Sequence, residues 1–201
     1  MFDSRVLGVD PGLSRCGVAV LDGPGHRAVT VDSCVLRTPV DHALGQRLHT
    51  IHAAIQALVR RHQPAALAVE RVFINAQART GVGAIQVVGL VHLIGAEAGL
   101  AVAEYTPSQV KAAVTGVGGA DKDQVIFMVQ RLLRLPKPPT PADLADAMAV
   151  ALCHLDQPAH APGVSRAETA GSATAGMSPR LAAAVAQAGP GLAAVRRKVG
   201  P

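Results

Sequence analysis

The sequence predicts an α/β layer fold, a mixed five-stranded sheet flanked by helices. Three observations carry this. Strand-length runs open the chain in succession, around 6–10, 17–21 and 28–36. Beyond them, helix-length and strand-length segments alternate, as crossover connections between parallel strands require. The chain of 201 residues has only three phenylalanines, one tyrosine and no tryptophan, so its core has to be aliphatic.

Val6, Leu7 and Val9 form a buried-strand run that stops on a carboxylate, Asp10. Pro11 and Gly12 then turn the chain, because proline presets φ and glycine accepts a reversal. Gly17 to Leu21 reads as the returning strand, and the absent side chains at Gly12 and Gly17 are expected to admit a bulky group such as a phosphate. Ala28 to Leu36, rich in Val and Thr, is a third strand. Asp41 is expected to open a helix to about His62, with Leu44, Leu48, Ile51, Ile55 and Leu58 at steps of four and three. Ala65 to Val69 is a fourth strand and again ends on an acid, Glu70.

The loop from Val72 to Gly81 is polar and holds a lone aromatic, Phe73. Ala84 to Gly99 is apolar nearly all the way round, so this helix either fills the centre of the fold or meets a second subunit. Leu100 to Tyr105 is the fifth strand, and Thr106-Pro107 begins a short helix. After a glycine loop, Asp121 to Gln124 resembles a capping box, with Val125, Met128, Leu132 and Leu135 as the stripe behind it. Thr140-Pro141 is expected to start a last helix running to about His154. Residues 1–155 thus make one domain. Residues 156–201, dominated by Ala, Gly, Ser and Pro, read as a disordered basic tail with five Lys/Arg against two acids.

Composition bounds function loosely. The formal charge of +5 suits a polyanion partner and also suits many soluble proteins. Cys16, Cys34 and Cys153 are scattered without a CxxC pair, as expected of reduced thiols rather than zinc ligands or disulfides. No uninterrupted apolar run of membrane-spanning length is read, and no signal peptide, so a cytoplasmic protein without a membrane partner is expected.

Asp10, Glu70, Asp143 and Asp146 are the candidate site. Asp143 and Asp146 lie three apart at a helix start, on one face. If the first and fourth strands are adjacent and parallel, Asp10 and Glu70 stand side by side. Four carboxylates together repel unless hard cations sit among them, and an oxygen-only set favours magnesium or manganese. Two such ions could drive phosphodiester hydrolysis. For Asp143 a plainer reading stays open, that of a capping acid behind Thr140.

Here the stretches GVDPGLSRCG, AVERVF, QVKAAVTGVGGADKDQV and PADLADAMAVAL resemble the RuvC family of bacterial Holliday-junction resolvases, within the ribonuclease H-like superfamily. The resemblance covers about Val6 to Leu155. It implies a homodimer that cuts opposed strands of a four-way DNA junction symmetrically with two Mg2+ or Mn2+ ions per site. It also implies RuvA and RuvB as branch-migration partners, in recombination and repair at the bacterial nucleoid. The family's metal-binding carboxylates fall on Asp10, Glu70, Asp143 and Asp146, its junction-contacting phenylalanine on Phe73, and its two backbone-neutralising lysines on Lys111 and Lys122. From the loop itself, Asn75, Gln77 and Arg79 are expected to touch the DNA backbone, although the loop is less basic than the family pattern. A sugar-kinase-like ATPase, another ribonuclease H-like nuclease and a non-catalytic junction binder are the rival readings.

Overall fold

The computed structural model describes residues 4–24, 27–73 and 81–157. Five strands, β1 (Val6–Asp10), β2 (Arg15–Asp22), β3 (Val29–Arg37), β4 (Ala66–Glu70) and β5 (Ala101–Tyr105), form one sheet in the order β3-β2-β1-β4-β5. The β1–β2 and β2–β3 pairs are antiparallel, while β1–β4 and β4–β5 are parallel. The helices are α1 (Leu44–His62), α2 (Gly81–Ala98), α3 (Pro107–Thr115), α4 (Lys122–Leu132) and α5 (Ala142–Leu155). The mixed sheet with flanking helices is therefore as expected.

The period-two alternation of β1 and β4 sorts the layers. Leu7, Val9, Leu67 and Val69 pack with Ile51, Ile55, Val87, Val91 and Ile94 of α1 and α2 on one face. Val6, Ala68 and Tyr105 pack with α3, α4 and α5 on the other. Asp10 shares the register of Val6 and Gly8, and Glu70 that of Ala68, so both carboxylates belong to the α5 face.

Helix α5 approaches that face very closely. A Cβ at Gly8 would lie 2.4 Å from the Ala147 carbonyl oxygen, and one at Gly17 would lie 2.1 Å from that of Asp143. Alanines 145, 147, 149 and 151, all fully buried, complete the contact. The expectation that Gly12 and Gly17 make room for a phosphate is thus corrected. Gly17 admits the backbone of α5, and Gly12 faces the Arg15 carbonyl oxygen at 2.0 Å from an added Cβ.

Smaller differences have local causes. Helix α1 begins at Leu44 after an uncapped Ala43, not at Asp41. Its buried stripe is Ile51, Ile55 and Val59, with Leu44 exposed. Helix α5 has Pro141 at the N-cap position and no side-chain cap, so Thr140 does not cap it. Thr106 and Asp121 each form a capping box, with Gln109 and Gln124. His154 stands in the last turn of α5. It is buried, and its Nδ1 lies 2.8 Å from the Tyr105 hydroxyl. All three cysteines are free, and burial pushes Cys16 and Cys153 up to about 12 and about 11.

Helix α2 is two-faced. Val87, Val91 and Ile94 are fully buried, whereas Val82 and Leu93 are about half exposed. By length and mean hydropathy alone it would pass for a membrane span, but glycines and Glu97 interrupt its apolar run, as the sequence expectation has it, and one side of it packs beneath the sheet. The tail, apart from Asp156 and Gln157, lies outside the described residues, as do Asn75, Gln77 and Arg79.

Candidate active site

The parallel register Val9↔Val69 carries β1 and β4 to adjacent ends at Asp10 and Glu70. Those two carboxylates, Asp146 of α5, Lys111 of α3 and Lys122 of α4 line one cavity of about 290 Å3. A second cleft shares Asp10 and Glu70 and continues to Arg71 and Phe73. Phe73 is 59% exposed, so it does not fold back into the core.

Asp143 sits one turn before Asp146 and interacts electrostatically with Asp10. Its carboxylate accepts a hydrogen bond from Arg15 at the start of β2. Lys122 Nζ donates to Asp146 Oδ2 at 3.0 Å. Asp143 makes no capping hydrogen bond with Thr140, although it remains the acid of the first turn of α5, where the helix dipole favours it. Among the described residues, no three His, Cys, Asp or Glu side chains converge tightly enough to hold a cation as placed. The two α5 carboxylates are engaged by Arg15 and Lys122 instead.

The electrostatics report a site poor in compensation. Burial, reinforced by Asp146, Glu70 and Asp143, pushes Asp10 up to about 7, with Lys122 opposing. Burial also raises Glu70, with Asp146 adding and Lys111 and Lys122 opposing. The Lys122 ammonium is held more firmly charged by its hydrogen bond to Asp146. Carboxyl oxygens that burial and their acidic neighbours push above the usual range, as at Asp10 and Glu70, suit a hard divalent cation, so the donor chemistry fits magnesium or manganese.

The model of the family described as crossover junction endodeoxyribonuclease RuvC matches residues 6–154 of this sequence. The chain belongs to the RuvC family. A RuvC from Salinispora arenicola is 53% identical over 152 residues, covering 75% of this chain and 87% of that protein. One from Leifsonia xyli subsp. xyli is also 53% identical over 151 residues, covering 75% and 73%. Among solved structures, T. thermophilus RuvC in complex with a Holliday junction substrate is 36% identical with a TM-score of 0.71, covering 75% of this chain and 92% of that one. All four carboxylates, Phe73 and both lysines lie within the stretch matched to the RuvC family.

Arg15 is the site residue that sequence reasoning missed. Its signal was present, because it lies in the same quoted hairpin as Asp10, five residues on. Only the docking of α5 reveals that it faces Asp143, 128 positions away in sequence. Arg71 was missed as well. It lines the Phe73 cleft and donates to Glu104 at 3.1 Å, a carboxylate that His92 also approaches at 2.9 Å.

Proposed function

We infer that this chain is a crossover junction endodeoxyribonuclease that hydrolyses phosphodiester bonds in four-way DNA junctions, with Asp10, Glu70, Asp143 and Asp146 as its catalytic carboxylates. The supporting observation is that Asp10, Glu70 and Asp146 reach a single cavity within the sequence stretch that matches the family. The family is metal-dependent, and Mg2+ or Mn2+, two per site, is our reading of the cation. When bound, it would supply charge neutralisation and an activated water for hydrolysis.

The chain's own residues then have distinct tasks. Asp10 and Glu70 are fixed by strand ends, so they define a rigid pair of donors. Asp146 and Asp143 complete the set from α5 once Lys122 and Arg15 give them up. Lys111 and Lys122 offset the charge of the scissile backbone, and Phe73 stacks on a base at the crossover. Asn75 and Arg79 remain proposed DNA contacts.

The test is cleavage of a synthetic four-way junction with magnesium, beside duplex DNA and an RNA–DNA hybrid. Paired nicks near the crossover, absent on duplex and hybrid, are expected. Degradation of the hybrid would instead make the chain a nuclease of another substrate on the same fold. Lys122→Met is expected to lower the rate at pH 7 by about 100-fold, the order lost with one preorganised charge-stabilising group. Because Lys122 holds both Asp10 and Glu70 down, its loss raises both. Protons should accordingly compete better with the cation in the variant, so its requirement for Mg2+ should rise more steeply than the parent's as pH is lowered, in metal titrations of single-turnover cleavage.

Symmetric incision needs two sites related by a two-fold axis, and we assign the outer face of α2 to a second copy of this chain. Val82, Gly89, Leu93 and Ala96 are exposed along it. Val91 is unsuited to a test, because it is 0% exposed and a charge there would unfold the domain. Leu93→Asp is expected to give folded monomers in sedimentation and to lose paired incision. A Leu93→Asp protein that remains dimeric would move the interface elsewhere. Action with RuvA and RuvB in the cytoplasm follows from the same reading.

A further inference from the structure

Among the described residues the core contains no phenylalanine. Phe73 and Phe127, the two described, are 59% and 55% exposed. A soluble domain that builds its interior from Val, Leu, Ile and Ala has placed both rings in water. Phe73 belongs to the cleft that shares Asp10 and Glu70. Phe127 belongs to a separate cavity of about 320 Å3, between α4 and the loop that follows α3.

Val117, Ala120, Phe127 and Met128 give this cavity an apolar wall, and Thr115 and Gln124 border it. Val117 is 61% exposed. The Gln124 side-chain oxygen accepts from the Asp121 backbone N–H at 3.0 Å, closing the capping box. That bond fixes the amide so that its NH2 group is the side available for donation. The Arg131 guanidinium carbon lies 5.5 Å from the Phe127 ring centroid.

The position of the cavity says what fits it. Its neighbour along both α3 and α4 is the carboxylate cavity, which takes Lys111 from α3 and Lys122 from α4. Thr115 is four residues beyond Lys111, so these bordering residues of the two cavities are about 6 Å apart along α3. That distance is on the order of the reach of one or two nucleotides of a single strand. A strand whose phosphate lies between the lysines therefore carries its next bases toward a half-open apolar slot with an aromatic wall and a fixed donor. Arg131 borders the slot and Lys111 and Lys122 line the cavity next to it, with Asp121 and Asp123 as the acids at the start of α4. This balance favours a phosphate-linked ligand over an apolar protein segment.

We propose that the Phe127 cavity receives one splayed nucleobase of the cleaved strand, a nucleotide or two from the scissile phosphate, stacked on the Phe127 ring. Arg131 backs that ring, and the Gln124 amide donates to the base edge. This rests on the reading of the site as a junction nuclease and adds to it a base-binding slot on the α4 side of the carboxylate cavity.

The experiment uses the full chain in EDTA, so that no strand is cut, and four-way junctions with a single abasic nucleotide at each position within three of the crossover. The native protein is expected to lose about tenfold in affinity at one such position, the order of one base–aromatic stack. Phe127→Ala should lose the same about tenfold on the intact junction and lose nothing further at that position, and Phe127→Trp should restore binding. Val117→Glu, which puts a charge into the slot from the loop, should behave as Phe127→Ala does. Native-like binding by both variants, the result if the cavity serves a protein partner, overturns the proposal. So do losses that add at every abasic position. A native protein that fails to bind intact junctions overturns the nuclease reading itself, and the cavity with it.

Discussion

Asp10→Asn is expected to abolish junction cutting while leaving the junction bound, and to make the cation-free protein more stable above pH 7. The first half follows from position. Asp10 is the β1 donor, held beside Glu70 by the register of the sheet, and an amide there removes a charged donor from the centre of the cavity. A fall of at least about 1,000-fold is expected, or about 4 kcal/mol at the usual conversion. Single-turnover cleavage measures it, and retained gel-shift affinity shows that the fold is intact.

The second half follows from burial and from neighbouring acids, which push Asp10 up to about 7 against an ordinary value of 3.8. A carboxyl raised on folding binds more protons in the native state than in the unfolded one over that interval. Stability therefore falls as pH rises from about 4 to about 7, and the full penalty remains above. Its size is at most about 4 kcal/mol. Asparagine carries no such penalty. Thermal melts in EDTA should show the variant several degrees more stable than the parent at pH 8, with the gap closing toward pH 4. Adding Mg2+ or Mn2+ should stabilise the parent and not the variant. A variant no more stable than its parent at pH 8 would mean that Asp10 ionises without cost.

Gly17→Ala is expected to damage stability and activity together, by displacing the helix that carries two of the acids. The added methyl would lie 2.1 Å from the Asp143 carbonyl oxygen and 2.9 Å from its carbon. Both are backbone atoms, so the start of α5 must retreat by about 1 Å or more to reach ordinary contact. Overpacking of this kind costs about 2–3 kcal/mol, and a shift of that size at a catalytic group costs about 100-fold in rate. Denaturant titration and single-turnover cleavage measure the two effects. Gly45→Ala is the contrast, because nothing lies within 4 Å of a Cβ there and the residue is in α1. That change should leave cutting unaltered and add up to about 1 kcal/mol. Equal behaviour of the two alanine variants would refute the role given to close approach.

The comparison of α2 with β1 shows where sequence reading stops. In β1 the alternation of side chains is a local property of the chain, and the position of Asp10 after Val9 is enough to put it at a strand end. Helix α2 has apolar residues on every side, so periodicity cannot say which face turns inward. Only the packed structure separates buried Val91 from exposed Leu93. Phe127 is a similar case, since an aromatic on a helix next to core residues gives no local sign that it points into water.

From the chain alone came the order of the elements, the acids at the ends of two strands and at the start of the last helix, and the motifs of the family. These are written in short stretches whose geometry depends on near neighbours. Tertiary structure decided which charges compensate those acids: Arg15 reaches Asp143 and Lys122 reaches Asp146. The first pairing depends on α5 lying directly on β1 and β2, a contact permitted by the missing side chains of Gly8 and Gly17, and the second on α4 packing against α5; no spacing within one segment encodes such contacts.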